Sequence, residues 1–376
     1  MISSGTSATE FKLLPQLIQV ALSHGKCLPY MPSADDWKQM YYEACKQAIA
    51  GICFEGVLRL PKEQQPPLGL LLQWFALAEQ IKQRNRLLNA RAKELTEKFA
   101  EGGFLSCVLK GQGVAELYNA KSGERSEKSG LGTYRQSGDI DLWVDGERDI
   151  VLNYAKTFGS ILSIDNKHAN FECFKDVVVE IHFIPLFFFN PFTNKRFKGW
   201  LSEVRNRQFN VNNLGFASPT ISFNLVFSII HINRHFFESG IGLRQLMDYY
   251  FILLHSTCEE REAAYRVLCN LEMGRFMGAV MYVLQKMFLL EEEYQLCSPS
   301  EKYGEQLMKV IIKGGNFGHS DPKNRRKAWP FIKRTLLNIR HFSRLLTSYP
   351  SEILWYPYWK LNLVLSRPKL DKWLRG

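Results

Sequence analysis

The chain has 376 residues, a net charge of +11, and 46% hydrophobic and 13% aromatic residues. This length exceeds one small domain and predicts two or three folded units with a large aromatic core. The N-terminus has no basic segment followed by an apolar run, which argues against a signal peptide, and the apolar runs are too short to span a membrane. Eight scattered cysteines without a CxxC pair predict reduced core thiols in a cytoplasmic protein.

The first part of the chain, residues 1–103, is predicted to be a helical region. Residues 35–60 show helical apolar spacing. Residues 69–103 predict one long helix that ends at the glycine pair Gly102 and Gly103.

The centre of the chain, residues 104–190, is predicted to be a compact core rich in short strands. Its strands are expected at 104–111, 139–144, 161–165, 168–174 and 177–183, and its helices at 113–120 and 146–159. The polar, Gly/Ser-rich segment 121–138 predicts a mobile loop, and its part 121–134 is a candidate lid over a bound substrate. The centre thus differs in character from both flanks.

The last part, residues 191–376, is predicted to be a helical domain with a basic end, so the whole chain is expected to be α+β. Residues 321–376 contain 13 lysines and arginines against 3 aspartates and glutamates, and 324–346 predict a basic amphipathic helix. Such an end suits a polyanion: nucleic acid, nucleotide phosphates or anionic lipid. The alternative is a solvated helix face without a partner.

Two carboxylates two residues apart interrupt an apolar stretch in the segment GDIDLWVD. On a strand, Asp139 and Asp141 point to the same face, where they repel each other unless a cation lies between them. In VVVEIHF, Glu180 and His182 likewise share one strand face. Three carboxylates on two strands suit Mg²⁺, so we expect the carboxylates of Asp139, Asp141 and Glu180 to converge.

A phosphate site is predicted in the segment VLKGQGV. The strand ends at Lys110, and Gly111 and Gly113 open a short helix, so that backbone N–H groups and a lysine charge can approach phosphate oxygens. Arg135, four residues before Asp139, could bind the same phosphates in a bidentate manner. The segment fits neither a dinucleotide fingerprint nor a Walker loop.

This ordered set of motifs, spread over residues 109–183, resembles the nucleotidyltransferases of the DNA polymerase β-like superfamily. In particular, it is similar to a bacterial family of uncharacterised nucleotidyltransferases marked by LKG, R…DIDLLV and VElHw. The resemblance implies a small mixed sheet, a nucleoside triphosphate such as ATP as substrate, and Mg²⁺ or Mn²⁺ as cofactor. It assigns metal binding to Asp139, Asp141 and Glu180, and nucleotide binding to Lys110, Gly111, Gly113 and Arg135.

Other polar residues are candidates for a supporting role. His231 and His235 have zinc-like spacing on one helix face, but the glutamate of the H-E-x-x-H motif is missing. Arg244 and Asp248 have the spacing of an intrahelical ion pair, and the family tends to show a similar Arg/Asp helix, so closure of this helix over the site is one hypothesis. His168 and His182 are candidates for the surroundings of the metal ligands.

Two functions follow from the sequence. The first is metal-dependent transfer of a nucleoside monophosphate to an acceptor hydroxyl with release of pyrophosphate, where the acceptor is RNA, a protein or a small molecule. The second is a non-catalytic module that binds nucleotide or RNA. The three acids favour the enzyme, whereas Lys-Gly in place of the Gly-Ser of the wider superfamily favours the module.

Overall fold

The computed structural model describes residues 12–119, 130–204, 209–238, 240–316 and 345–375. Along the chain, most of the described helices come before or after a short centre that is rich in strands. They are α1 (Leu14–Ala21), α2 (Ala34–Lys46), α3 (Ala50–Arg59), α4 (Leu68–Glu101), α5 (Gln112–Ala115), α6 (Arg148–Ala155), α7 (Pro191–Val204), α8 (Ile221–Glu238), α9 (Leu243–Leu254), α10 (Cys258–Asn270), α11 (Gly274–Phe288), α12 (Glu301–Gly314) and α13 (Pro350–Arg375).

Five short strands form one mixed sheet, in the order β1-β2-β5-β4-β3. They are β1 (Ser106–Val108), β2 (Ile140–Val144), β3 (Ser160–Ile164), β4 (His168–Glu172) and β5 (Val179–His182). The central strands β2 and β5 are parallel, and the other pairs are antiparallel. The predicted α+β class with a small mixed sheet is therefore confirmed.

One face of this sheet is apolar and packs on the C-terminal half of the long helix α4. Side chains from alternate positions of β2 and β5 meet α4 and α6 there, as the alternation in the sequence predicts. The hydrophobic core between the sheet and these helices consists mainly of Leu88, Ala92, Leu95, Phe99, Ile140, Leu142, Val144, Val151, Ala155, Phe171, Val179 and Ile181. The polar side chains of the same strands must point to the opposite face.

The N-terminal and C-terminal helices share one larger core. Residues of α1, α2 and α3 pack in the same hydrophobic cluster as residues of α8, α9, α11 and α12. Trp37 and Trp74 pack edge to face in this cluster. Helices from both flanks therefore surround the face of the sheet that does not pack on α4.

The structure corrects several local expectations. Residues 35–60 form two helices, because Ala48 between them adopts a left-handed φ of 55°. A hairpin of β6 (Phe209–Val211) and β7 (Ala217–Pro219) occurs where only helix was expected. Residues 131–134 of the predicted mobile loop form a packed 3₁₀ turn with buried Leu131 and Tyr134. Apart from Gly130, the rest of the predicted lid falls on residues 121–129, outside the described residues, and the lid stays a prediction.

All eight cysteines are free thiols, as predicted. The expectation that they lie in the core is wrong for Cys27, Cys258 and Cys269, which are exposed. Among the described helices, none combines the length and hydropathy that a membrane span needs. The predicted basic helix falls mostly on residues 317–344, outside the described residues, and stays a prediction.

Candidate active site

Polar side chains from three neighbouring strands line up on the face of the sheet that does not pack on α4. The register places Asp141 beside Glu180, and Glu180 beside Asn170. In the next row, His182 lies beside His168, and the centroids of the two imidazole rings are 5.2 Å apart. This arrangement follows from the alternation of DIDLWV and VVVEIHF, which turns the carboxylates away from the apolar core.

Three of these side chains form a compact cluster of potential metal ligands. One ligand atom each from Asp141, Glu180 and His182 lie within 4.8 Å of one another. His182 Nε2 is 2.9 Å from Asp141 Oδ1 and 3.5 Å from Glu180 Oε2. His168 Nε2 lies 3.8 Å from the same Glu180 oxygen. The two carboxylates supply hard oxygen ligands that suit Mg²⁺ or Mn²⁺, and the imidazole extends the set toward softer ions.

Asp139 stands one residue before β2 and lines the same pocket as Asp141. Repulsion by the Asp141 carboxylate, together with burial, raises the pKa of Asp139. Glu180 adds to this repulsion, so the three acids act on one another electrostatically. The expected sharing of one ion by all three carboxylates stays a prediction.

The Lys-Gly turn after β1 brings a cation to these acids. Lys110 Nζ lies 3.1 Å from Asp141 Oδ1. Burial opposes the charged form of Lys110, but the carboxylates of Asp141, Asp139 and Glu180 outweigh burial and raise the pKa of the lysine. Gly111 adopts a φ of +65°, which favours glycine. At Gly113, a Cβ atom would lie 2.0 Å from the Val108 carbonyl oxygen, so only glycine fits.

The electrostatics of the cluster favour a charged carboxylate at its centre. Asp141 is 2% exposed. Burial alone would raise the pKa of Asp141, but Lys110 and His182 hold it well below its usual range. The hydrogen bonds to Asp141 and Glu180 overcome burial and raise the pKa of His182. Because the ionised Asp141 carboxylate can only accept, Nε2 of His182 is the donor that holds it in place.

Arg135 is tied into a buried network. Its guanidinium binds the Asp248 carboxylate of α9 through two hydrogen bonds of 2.7 Å each. A third nitrogen donates to Ser137 Oγ, and Ser137 donates to Gln112 at the start of α5. Tyr118 also donates to Asp248. The structure thus gives Asp248 two partners that helical spacing did not predict, and these contacts link the sheet, the Lys-Gly turn and α9.

A pocket opens between the Lys-Gly turn and helices α8 and α9. Its lining includes most of the predicted site residues and several that the sequence did not single out: Leu109, Lys110, Gly111, Val114, Arg135, Ser137, Gly138, Asp139, Asp141, Phe227, Ser228, His231, Ile232, Arg244, Gln245 and Asp248. Glu180, His168, His182 and Gly113 are not part of this lining. The pocket therefore places acids, a lysine and hydroxyl groups around one space.

His231, which pairs with His235, and Arg244 bound this pocket on the helical side. His231 Nε2 and His235 Nε2 lie 3.0 Å apart, and burial lowers the pKa of each ring well below its usual value. A hydrogen bond joins the two rings, so one nitrogen of the pair carries the shared proton. Arg244 donates to the carbonyl oxygen of Gln136 over 2.7 Å, which fixes the backbone just before Asp139.

Ser137 and Gln112 are the residues of this site that sequence reasoning missed. Ser137 lies two positions before Asp139 in the segment RQSGDID, and its Oγ is 4.0 Å from where a Cβ of Gly111 would be. A hydroxyl therefore faces the Lys-Gly turn from a different segment of the chain. In the sequence, the position of Ser137 two residues before Asp139 is the feature that could have indicated its place in the site.

A mixed sheet that carries converging carboxylates beside a strand-Lys-Gly-helix turn defines the class of protein: a nucleotidyltransferase-like α+β protein. Residues 33–289, more than half of the chain, match the family described as Uncharacterised nucleotidyltransferase, and the chain belongs to this family. The family inferred from the three motifs is confirmed. No curated protein matches the chain.

Proposed function

We propose that the protein transfers a nucleoside monophosphate from a nucleoside triphosphate to an acceptor hydroxyl. The acceptor oxygen would attack the α-phosphorus, the bond to the bridging oxygen of the β-phosphate would break, and pyrophosphate would leave with the electron pair. The hydroxyl proton would pass to solvent or to a nearby base. The observation that carries the proposal is the contact of Lys110 with Asp141 at the pocket, with Glu180 next to Asp141 on the neighbouring strand.

The carboxylates of Asp139, Asp141 and Glu180 would hold one or two divalent ions. A bound ion would supply charge neutralisation for the triphosphate and a lower pKa for the acceptor hydroxyl. The remaining work would fall to the chain itself, as positioning and electrostatic stabilisation. Lys110 and the N–H groups of the Gly111 turn would bind the phosphates. Ser137 and the Arg135–Asp248 pair would hold this turn in place.

A specific observation also favours the non-catalytic alternative. Lys110 Nζ and His182 Nε2 both lie against the same oxygen, Oδ1 of Asp141. A lysine ammonium group and an imidazole N–H thus already bind the acid that the enzyme would need for an ion. A module that binds nucleotide without an ion would use this arrangement as it stands.

Nucleotide binding with and without metal separates the two functions. Thermal unfolding would be followed with each nucleoside triphosphate, in excess Mg²⁺ or Mn²⁺ and in EDTA. A ligand at 100 times its dissociation constant stabilises by about 2.7 kcal/mol. We expect such stabilisation with metal only, and its loss in Asp141→Asn and Glu180→Gln. Glu172→Gln, on the neighbouring strand and exposed, is the matched control and should keep it.

Transfer itself requires an acceptor. The protein would be incubated with α-³²P-labelled nucleoside triphosphates, metal and fractions of cell extract: RNA, protein and small molecules. Label in one fraction, together with pyrophosphate release, would support the enzyme and identify the acceptor class. Nucleotide stabilisation that persists in EDTA, with no labelled fraction, would refute the enzyme in favour of the binding module.

A further inference from the structure

The last helix of the chain, α13, presents an apolar strip to solvent. Leu354, Tyr358, Leu361 and Leu365 are exposed by 67%, 51%, 57% and 65%. At about 100° per residue, these four positions fall within an arc of about 60° around the helix, and at 1.5 Å per residue they extend over about 17 Å. We call this strip, defined by the four residues, the outer face of α13.

The opposite side of α13 fixes the helix to the rest of the protein. The buried Glu352 carboxylate accepts a hydrogen bond of 2.8 Å from the backbone N–H of Phe189. The rings of Tyr356 and Trp359 contact the ring of Phe189, with centroids 4.9 and 4.7 Å away. Glu352, Tyr356 and Trp359 lie about 140–200° from Leu354 around the helix. The packing of α13 therefore turns its outer face away from the core.

Two aromatic rings widen the apolar surface beside the outer face. The Trp355 ring packs edge to face on Tyr358 and on Phe192 of α7, with centroids 5.6 and 5.7 Å away. Phe192 is 65% exposed. An exposed apolar patch of several neighbouring residues marks an interaction site. Trp and Tyr in particular are enriched where proteins meet a membrane surface, because their rings combine an apolar body with one polar atom.

The sequence of α13 adds positive charge to this apolar surface. Five of its residues are basic and two are acidic: Lys360, Arg367, Lys369, Lys372 and Arg375, against Glu352 and Asp371. A second copy of the chain would bring the same charge to this face and be repelled, whereas an anionic surface would be attracted. A nucleic acid would attract the charge but offers no apolar layer for the leucines. Apolar and basic residues on one helix are typical of helices that lie in a membrane interface.

A second pair of exposed leucines provides a comparison. Leu68 and Leu72 on α4 are exposed by 69% and 57%, close to the values for Leu354 and Leu361. The surrounding segment, residues 58–80, contains two basic and two acidic residues. This pair has the same apolar exposure as the outer face of α13 without the excess positive charge.

We propose that the outer face of α13 binds the surface of an anionic phospholipid bilayer. The leucines and Tyr358 would enter the boundary between head groups and acyl chains, and the basic residues of the helix would be attracted by the lipid phosphates. Attachment would be peripheral and would keep the contacts of α13 with Phe189. The nucleotide site takes no part in this attachment, so the inference is independent of the proposed transfer reaction.

Co-sedimentation of the full chain with sucrose-loaded vesicles tests the proposal. We expect binding to vesicles of phosphatidylglycerol and phosphatidylcholine in equal parts to be at least about tenfold tighter than binding to phosphatidylcholine alone, and to weaken in about 0.5 M salt. Leu354→Gln with Leu361→Gln should weaken binding by about tenfold or more, because burial of each leucine contributes about that factor. Leu68→Gln with Leu72→Gln is the matched control and should leave binding unchanged. All four side chains are exposed, so both variants should unfold at the wild-type temperature.

Several results would overturn the proposal. The absence of sedimentation with the mixed vesicles, or equal binding to both kinds of vesicle, would exclude an anionic bilayer. An equal effect of the two leucine pairs would exclude the outer face of α13. A dimer seen by sedimentation velocity without lipid, and lost in Leu354→Gln with Leu361→Gln, would assign this face to a second copy of the chain. Binding to poly(U) RNA but not to vesicles would assign the basic end to nucleic acid.

Discussion

The ion pair between Arg135 and Asp248 is the interaction whose removal should cost the fold most. Arg135 is 4% exposed and Asp248 is 7% exposed. Both hydrogen bonds between them measure 2.7 Å. In Arg135→Met, the Asp248 carboxylate stays buried with Tyr118 as a donor but loses the guanidinium that binds both of its oxygens. Removing one partner of such a pair costs about 3–5 kcal/mol, because the remaining charge is uncompensated.

A double variant tests whether the loss comes from this pair. In Arg135→Met with Asp248→Leu, no charge stays behind, although Tyr118 loses its acceptor at a cost of about 1–3 kcal/mol. The double variant should therefore lose less stability than the two single variants together, by at least about 2 kcal/mol. Urea unfolding at 25 °C and neutral pH measures each free energy of unfolding. Arg91→Met, which breaks the half-exposed pair of Arg91 with Asp176, should cost much less, because water and salt screen that pair.

The same experiment separates two roles for Arg135. The sequence resemblance assigns this arginine to nucleotide phosphates, whereas the structure shows it bound to α9. The reasoning from the buried pair is refuted if the free energy of unfolding of Arg135→Met lies within about 1 kcal/mol of the wild-type value while nucleotide no longer stabilises the variant. Arg135 would then be a phosphate ligand.

Three further outcomes follow from the structure. Gly113→Ala should lose about 1–3 kcal/mol in urea unfolding, because its Cβ would meet the Val108 carbonyl, whereas Gly69→Ala, with open space in α4, should gain up to about 1 kcal/mol. Burial lowers the pKa values of His231 and His235, so the unfolded state binds more protons as the pH falls below about 6.5. When the pH is lowered from 7.5 to 5.5, the free energy of unfolding should fall in the wild type by about 2–3 kcal/mol more than in a variant with Gln at both positions. Lys110→Met should raise the pKa of Asp141, which a carboxylate-resolved NMR titration would detect as a shift toward its usual range.

The central sheet could be predicted because its sequence alternates clearly. In DIDLWV and VVVEIHF, apolar residues at every second position meet α4, and the polar residues between them must share the other face. That period of two predicts both that these segments are strands and which of their side chains face the core. The pairing of Asp141 with Glu180 follows next, because both sit at equivalent positions of adjacent parallel strands.

Other features could not be predicted because their causes lie far away in the chain. Arg135 and Asp248 are 113 residues apart, and only packing of α9 against the turn brings them together. The hairpin of β6 and β7 has three residues per strand, too few for a periodic signal. The break between α2 and α3 rests on a left-handed alanine, a conformation that the local sequence does not favour.

The charge balance of the cluster explains why its chemistry depends on what else binds. Asp139, Asp141 and Glu180 carry three negative charges when ionised, and Lys110 offsets one of them. The remaining negative charge attracts a cation and repels a free triphosphate. A nucleotide that arrives together with a divalent ion would bring its own compensation, and Lys110 could then leave Asp141 for a phosphate oxygen. A nucleotide without an ion would have to displace the lysine from Asp141 with no cation in return. The requirement for metal in nucleotide binding is therefore the property on which the two candidate functions differ most.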